Sequence, residues 1–225
     1  MNLSLCKTLR FKHTMNFYLI SPPYECSSFN LYNFEKILEY INVKYLQLRP
    51  KYNSEKLNRN FIIKNFRIFQ KLCFLKNIKL IINDDVTLAR ELESDGVHIG
   101  QNDLSCKKAR SFLGTKYKIG VSCKNSLILA KQAYIDGADY LAFGPAFKSK
   151  TKKNNSVMLD KEFFEKKNEI PLPFTLIGGI NHNNISKLKN IGFNNLALIQ
   201  SIWHFKDGPV KSAEKFSNLG FGHEN

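Results

Sequence analysis

Polar residues in this chain recur at the ends of short apolar runs. Gln47, Arg49 and Lys51 close or follow the run VKYLQL, and Asn83, Asp84 and Asp85 close or follow IKLIIN. Gly100, Gln101 and Asp103 follow DGVHI, and Ser122 follows YKIGV. After ADYLAF comes the stretch GPAFKSKTKKNNS, with Ser149, Thr151 and Lys152. Gly178 and Gly179 follow PFTLI, and Gln200 and Ser201 follow NNLALI. Two chemistries fit these residue types. Arg49 can fork onto phosphate oxygens, while Lys51 and Lys152 act as point charges. Glycines let backbone N–H groups approach an anion closely. Asp84 and Asp103 are suited to share a magnesium ion, which takes one or two carboxylates together with phosphate oxygens and water. The set points to a magnesium–diphosphate site beside a second, monophosphate site.

Each residue alone has a plainer use. A lone Arg or Asp at the end of a strand is more often part of a loop ion pair or a helix cap, and either Asp84 or Asp85 suits a cap. His98, inside its run, reads as a hydrogen-bonded core histidine rather than a base. Cys123, next to Ser122, has no His near it in sequence and reads as a small buried residue rather than a nucleophile. The lysines of the 144–156 stretch also suit a solvated turn. Coincidence on one face of one fold favours the functional reading of the set.

The elements that would hold these residues alternate regularly. Strands are expected at 17–20, 43–49, 78–83, 95–99, 117–121, 138–143, 173–177 and 194–199. Helices are expected near Asn33–Tyr40, over Ser54–Lys76 with Ser54 as N-cap, at Val86–Glu93, from Ser105, at Ser126–Ile135, near Asp160–Lys167, at Asn183–Asn190 and near Pro209–Phe216. Ile62, Phe66, Phe69 and Cys73 make one apolar stripe on the long helix, with Lys64, Arg67, Lys71 and Lys76 largely off it. Eight strand–helix units, most strands continuously apolar, predict a single-domain (β/α)8 barrel. An open doubly wound sheet does not need eight near-equal units, and no GxGxxG follows the first strand. In such a barrel the strand ends above meet at one C-terminal mouth.

Composition bounds the function classes. The 225 residues carry no Pro/Ser/Gly-rich linker and no apolar run long enough to span a membrane. Residues 1–15 are basic, without the apolar core of a signal peptide. They read as a tail, a weak organellar presequence, or a stretch upstream of a start at Met15. Residues 16–217 are expected to form the barrel and 218–225 a second tail. Five cysteines with no CxxC suggest neither a disulfide framework nor a zinc site, and fit a reducing cytoplasm. The net charge of +15 raises nucleic acid as a partner. The basic residues are spread along the whole chain, however, and AT-rich coding produces the same bias. The expectation is no specific nucleic-acid partner and no membrane, with small phosphorylated substrates instead. The oligomeric state is left open, a homo-oligomer included.

Six motifs in order carry a family resemblance: QLRPK, IINDDVTLA, DGVHIGQND, GVS, GADYLAFGPAFKSKTKK and LIGGI. The chain resembles the thiamine-phosphate synthases from about Asn16 to Phe216. The resemblance implies a (β/α)8 barrel that joins hydroxymethylpyrimidine diphosphate to thiazole phosphate, releasing diphosphate and giving thiamine phosphate. It implies that Gln47, Arg49, Lys51, Asn83, Ser122 and Lys152 hold the pyrimidine diphosphate, with Arg49, Ser122 and Lys152 acting in the reaction. Asp84 and Asp103 would ligate Mg2+. Ser149, Lys150 and Thr151 would contact the thiazole substrate, and Gly179, Ile199 and Gln200 would hold its phosphate through the backbone.

The chain departs from the family pattern at several positions. Ser149 stands for the usual Thr, Pro50 for a common acidic residue and Gln200 for the usual Ser, and NNLA replaces DGVA. Two rivals follow. The related thiazole tautomerases share the barrel but carry a His shortly after the strand-5 Ser, where this chain has Lys124. A catalytically degenerate, basic binding protein is the other, and magnesium-dependent diphosphate release separates it from an enzyme.

Overall fold

The computed structural model of the protein describes residues 15–147, 163, 169–189 and 191–223. Eight parallel strands close into a barrel in sequence order. They are β1 (Asn16–Ile20), β2 (Val43–Leu48), β3 (Lys79–Asn83), β4 (Gly96–Ile99), β5 (Lys118–Lys124), β6 (Tyr140–Phe143), β7 (Phe174–Ile177) and β8 (Asn195–Leu198). β1 pairs with β8 to close the ring, with Phe17 opposite Leu196 and Leu19 opposite Leu198. The expected (β/α)8 barrel is therefore the observed fold.

Helices α1 (Leu31–Ile37), α2 (Glu55–Leu75), α3 (Val86–Glu91), α4 (Cys106–Leu113) and α5 (Leu127–Ile135) follow the first five strands. Each begins where a side-chain oxygen can replace a missing intrahelical acceptor. Asn30, Ser54, Asp85, Ser105 and Ser126 accept from the N–H three residues on. Ser54 is the cap expected from sequence. The helix expected at Asp160–Lys167 lies outside the described residues, apart from Phe163, whose ring packs 4.6 Å from that of Phe143.

The helix expected at Asn183–Asn190 is a correction: only a 3-10 turn, Ile185–Leu188, forms there. Asn181 N–H donates to Asn184 Oδ1, and the Asn181 and Asn184 amides both donate to the carbonyl of Gly179. Short amide side chains compete for backbone groups and keep the turn from extending into an α-helix. A four-residue helix, α6 (Gln200–Trp203), was not expected at all; α7 (Pro209–Phe216) follows it, with Pro209 in its first turn. Trp203 explains α6. Its indole N–H donates to Ile20 O at 2.7 Å, and its buried ring fixes the first turn after β8 against β1.

Alternation along the strands sorts two apolar layers. Phe17 and Leu19 point outward onto the helices, with Phe34, Ile37, Leu46 and Phe69, all fully buried. Each such side chain contributes about 1.5–3 kcal/mol. Tyr18 and Ile20 point inward and meet Tyr140 and Ala197 inside the barrel. After α7, Phe221 is buried and His223 Nε2 lies 2.9 Å from Leu38 O, so the described chain stays on the barrel to its end. No helix among the described residues is long and apolar enough to cross a membrane.

Candidate active site at the barrel mouth

Half of the mouth is a contiguous polar rim over the ends of β2 to β5. Gln47 and Asn83 are buried on neighbouring strands, and Gln47 Nε2 donates to Asn83 Oδ1 at 2.6 Å. Arg49 leaves β2 with its backbone N–H on Ser21 Oγ at 2.8 Å, which fixes the exit of the strand. Burial lowers the Arg49 guanidinium pKa, while Asp84 and Asp103 pull it back up, so the group keeps its charge. Lys51 Nζ reaches Asp84 Oδ2 at 3.4 Å.

The two adjacent aspartates divide into one helix cap and one carboxylate that faces the mouth. Asp85 accepts from Leu88 N–H at 2.8 Å and Thr87 Oγ1 at 2.7 Å, and pairs with Arg59 at 2.6 Å. It is a cap. Asp84 takes a positive φ of 62°, its N–H on His98 O at 2.8 Å, and so turns away from the helix toward Asp103. Burial raises the Asp84 carboxyl pKa, and the facing Asp103 carboxyl adds to the rise; Lys51 opposes both. Two facing carboxyls that raise a pKa call for a proton or a cation between them. With hard oxygen donors and open water beside them, they fit magnesium. Asp103 is itself held, its Oδ2 accepting from Gly100 N–H at 2.7 Å. A cleft of about 490 Å³ opens alongside, walled by Lys51, Tyr52, Asn58, Arg59, Asn83 and Asp84.

Ser122 sits at the end of β5, just before a register shift against β6. Bulges of this kind re-aim side chains next to active sites. Its Oγ lies 2.8 Å from His98 Nε2, and its carbonyl accepts from Gln101 Nε2 at 2.7 Å. Burial, with Arg49 nearby, drops the His98 pKa to about 4, so the imidazole is neutral near pH 7. His98 is thus a hydrogen-bonded interior residue, as its sequence position suggested. Spacing gave no hint that Ser122 is its partner. Burial pushes the Cys123 thiol up to about 12, which removes it as a nucleophile.

The other half of the mouth is backbone. Gly178 and Gly179 take φ of 102° and 71°. A Cβ at Gly179 would lie 2.7 Å from Phe147 O, and one at Gly178 would lie 2.7 Å from Pro145 Cα. The double-glycine turn therefore lets the chain after β6 lie directly on it, with Ala146 N–H on Ile177 O at 2.9 Å and Phe147 N–H on Gly178 O at 3.0 Å. That fixes the root of the 144–156 stretch. Ser149, Lys150, Thr151 and Lys152 lie outside the described residues. Among the described residues, the N–H groups of Gly179 and Gln200 have no acceptor, and Ile199 and Gln200 form the turn into α6. Free amides at such a turn suit an anion. The Gln200 side chain is exposed.

Fold and site together define a class: a (β/α)8 barrel that gathers cationic side chains, paired carboxylates and free amides at its C-terminal mouth. A thiamine monophosphate synthase family model matches residues 17–202. A thiamine-phosphate synthase of Pelagibacter ubique is 40% identical over 193 residues, 84% of this chain and 89% of the relative. One of Prochlorococcus marinus is 36% identical over 213 residues, covering 93% of this chain; this chain spans 57% of that longer relative. A thiamine phosphate pyrophosphorylase from Pyrococcus furiosus superposes with a TM-score of 0.74 over 92% of this chain and 96% of its own, at 23% identity, a likeness of fold. The chain belongs to the thiamine monophosphate synthase family.

Proposed function

We propose that the protein is a magnesium-dependent thiamine-phosphate synthase, a transferase that joins hydroxymethylpyrimidine diphosphate to thiazole phosphate with release of diphosphate. The observation that carries this reading is the Asp84–Asp103 carboxyl pair set beside Lys51 and Arg49 on the rim that also holds Ser122. Asp84 and Asp103 would hold magnesium, which would supply charge neutralisation at the diphosphate. Arg49 and Lys51 add positive charge where negative charge develops as the carbon–oxygen bond of the substrate breaks. Ser122 donates a hydrogen bond to the same group. Gln47 and Asn83, buried and locked to each other, present fixed polar edges to the pyrimidine end.

The electron-rich aminopyrimidine supports a cation at its exocyclic carbon once diphosphate departs, and the thiazole nitrogen attacks that carbon. No protein nucleophile is needed, which agrees with the inert Cys123 thiol and the neutral His98. Gly179 and the Ile199–Gln200 turn suit the phosphate of the second substrate, and Ser149, Lys150, Thr151 and Lys152 are assigned to contacts with the two substrates on the resemblance alone. The alignment of the two rings is the remaining task of the site. The four free thiols among the described residues, Cys26, Cys73, Cys106 and Cys123, suit a cytoplasmic setting. The test is incubation with both substrates and magnesium, with mass detection of thiamine phosphate. Product that disappears on chelation is expected, and no product where a known synthase works overturns the proposal.

A further inference from the structure

A polar chain runs through the interior of the barrel, and only its last member meets the substrate in the reaction just described. Ser122 Oγ lies 2.8 Å from His98 Nε2, His98 Nδ1 lies 3.2 Å from the Tyr140 hydroxyl, and that hydroxyl lies 2.9 Å from the Tyr18 hydroxyl. Tyr18, His98 and Tyr140 are buried. The chain is built for. A Cβ at position 120 would lie 2.0 Å from Tyr140 Cζ, so Gly120 makes room for the ring that reaches His98. At the far end, the Tyr45 ring stacks 5.0 Å from that of Tyr18, and Ile20 and Ala197 pack there too. Among the described residues, the Tyr18 hydroxyl has no partner besides Tyr140.

A neutral imidazole has one N–H, so the chain has two polarities. In the first, Ser122 donates to Nε2, Nδ1–H donates to Tyr140, and Tyr140 donates to Tyr18. The proton of Tyr18 then has no acceptor among the described residues. In the second, Tyr18 donates to Tyr140, Tyr140 donates to Nδ1, and Nε2–H donates to Ser122 Oγ. The proton of Ser122 then leaves the chain toward the mouth, and every buried proton has an acceptor. An unpaired buried donor is costly, whereas an unused hydroxyl lone pair is not. The second polarity is favoured on the order of tenfold or more.

We propose that Tyr18, Tyr140 and His98 form a positioning relay that holds His98 in its Nε2–H tautomer and so makes Ser122 a hydrogen-bond donor toward the anion at the mouth. The last clause rests on the reading of Ser122 as a diphosphate contact; the tautomer does not. A serine has a single proton. If His98 accepted it, Ser122 would turn lone pairs toward a negative charge. The buried dead end of the chain therefore sets what the group at the mouth can offer.

The direct test is the 15N spectrum of the His98 side chain in the native protein, free and with inorganic diphosphate. Protonated Nε2 and unprotonated Nδ1 are expected in both, and a protonated Nδ1 overturns the relay. Tyr140→Phe removes the donor to Nδ1 and should give mixed tautomers. Tyr18→Phe leaves that donor in place and should keep Nε2–H. An unmixed Nε2–H in Tyr140→Phe would show that Tyr140 does not set the tautomer, and the relay would fall.

In turnover, His98→Leu should lower kcat by about tenfold or more. His98→Gln, which can return an N–H near the Nε2 position, should recover most of it, and KM for the thiazole substrate should hold in both. Equal losses in Leu and Gln would assign His98 to packing alone and overturn the proposal. Ser122→Ala separates the two layers. If it leaves turnover intact, the diphosphate contact is wrong whatever the tautomer. If it lowers turnover while Nδ1 is protonated, the contact stands and the relay is wrong.

Discussion

Asp84→Asn and Asp85→Ala, made side by side, should fail in opposite ways. Asp84 faces Asp103 and Lys51 at the mouth, while Asp85 caps α3 and pairs with Arg59. If the proposed function holds, removing one carboxylate of the pair should weaken stabilisation of the departing diphosphate by about 2–4 kcal/mol, a rate loss on the order of 100-fold or more. Stability should not suffer. The folded Asp84 pKa is raised, chiefly by burial, so its charge is a penalty in the folded state. That penalty is absent below the ordinary aspartate value of 3.8 and sets in as pH rises through the higher folded value. In chelated protein at pH 7, Asp84→Asn should melt at or above the parent, and the difference should vanish on acidification. Asp85→Ala loses a cap worth about 1 kcal/mol and a partly buried ion pair worth about 1 kcal/mol. It should melt roughly 3–6 °C lower with turnover nearly intact. The assays are rate against magnesium concentration and thermal denaturation with chelator. A parental rate and magnesium response in Asp84→Asn, or a rate collapse in Asp85→Ala at unchanged melting temperature, would refute the division of roles.

Three further outcomes are expected. Gly179→Ala puts a Cβ 2.7 Å from Phe147 O at a φ of 71° and should raise KM for thiazole phosphate about tenfold, with KM for the pyrimidine substrate little changed; steady-state kinetics varying each substrate is the check. Arg110 ties α4 to the carbonyls of Gly137 and Tyr117 and to Asp139, so Arg110→Ala should cost about 2–3 kcal/mol in denaturant unfolding while the folded protein keeps its specific activity. Lys152, assigned from the family resemblance, should lose on the order of 100-fold in turnover when changed to Ala, and Lys153→Ala and Lys148→Ala should lose little; equal small losses in all three would make the 144–156 stretch a basic surface turn.

The strands and their polar ends were legible because each lies within a few residues of its own signal. Apolar runs mark β1 to β8, and the residues after them fall at the mouth by the geometry of the barrel alone. Ser54 could be read as a cap for the same local reason. Asp84 and Asp85 could not be told apart, since the difference is a backbone turn at Asp84 and an Arg59 side chain 26 residues away from Asp85. The 3-10 turn at Ile185–Leu188 depends on Asn181 and Asn184 side chains turning back on Gly179, a competition that helical periodicity does not register. The four residues of α6 are too few for a period, and their anchor is Trp203 on Ile20, across 183 residues. The chain from Ser122 to Tyr18 was invisible for the same reason: its links span 24, 42 and 122 residues.

The most direct test of the central claim is product stoichiometry. The protein is mixed with both substrates and magnesium, and diphosphate and thiamine phosphate are counted together by 31P NMR. One thiamine phosphate for each diphosphate, and neither after chelation, is the predicted result. Diphosphate released without thiamine phosphate, or no turnover at all, would contradict the account.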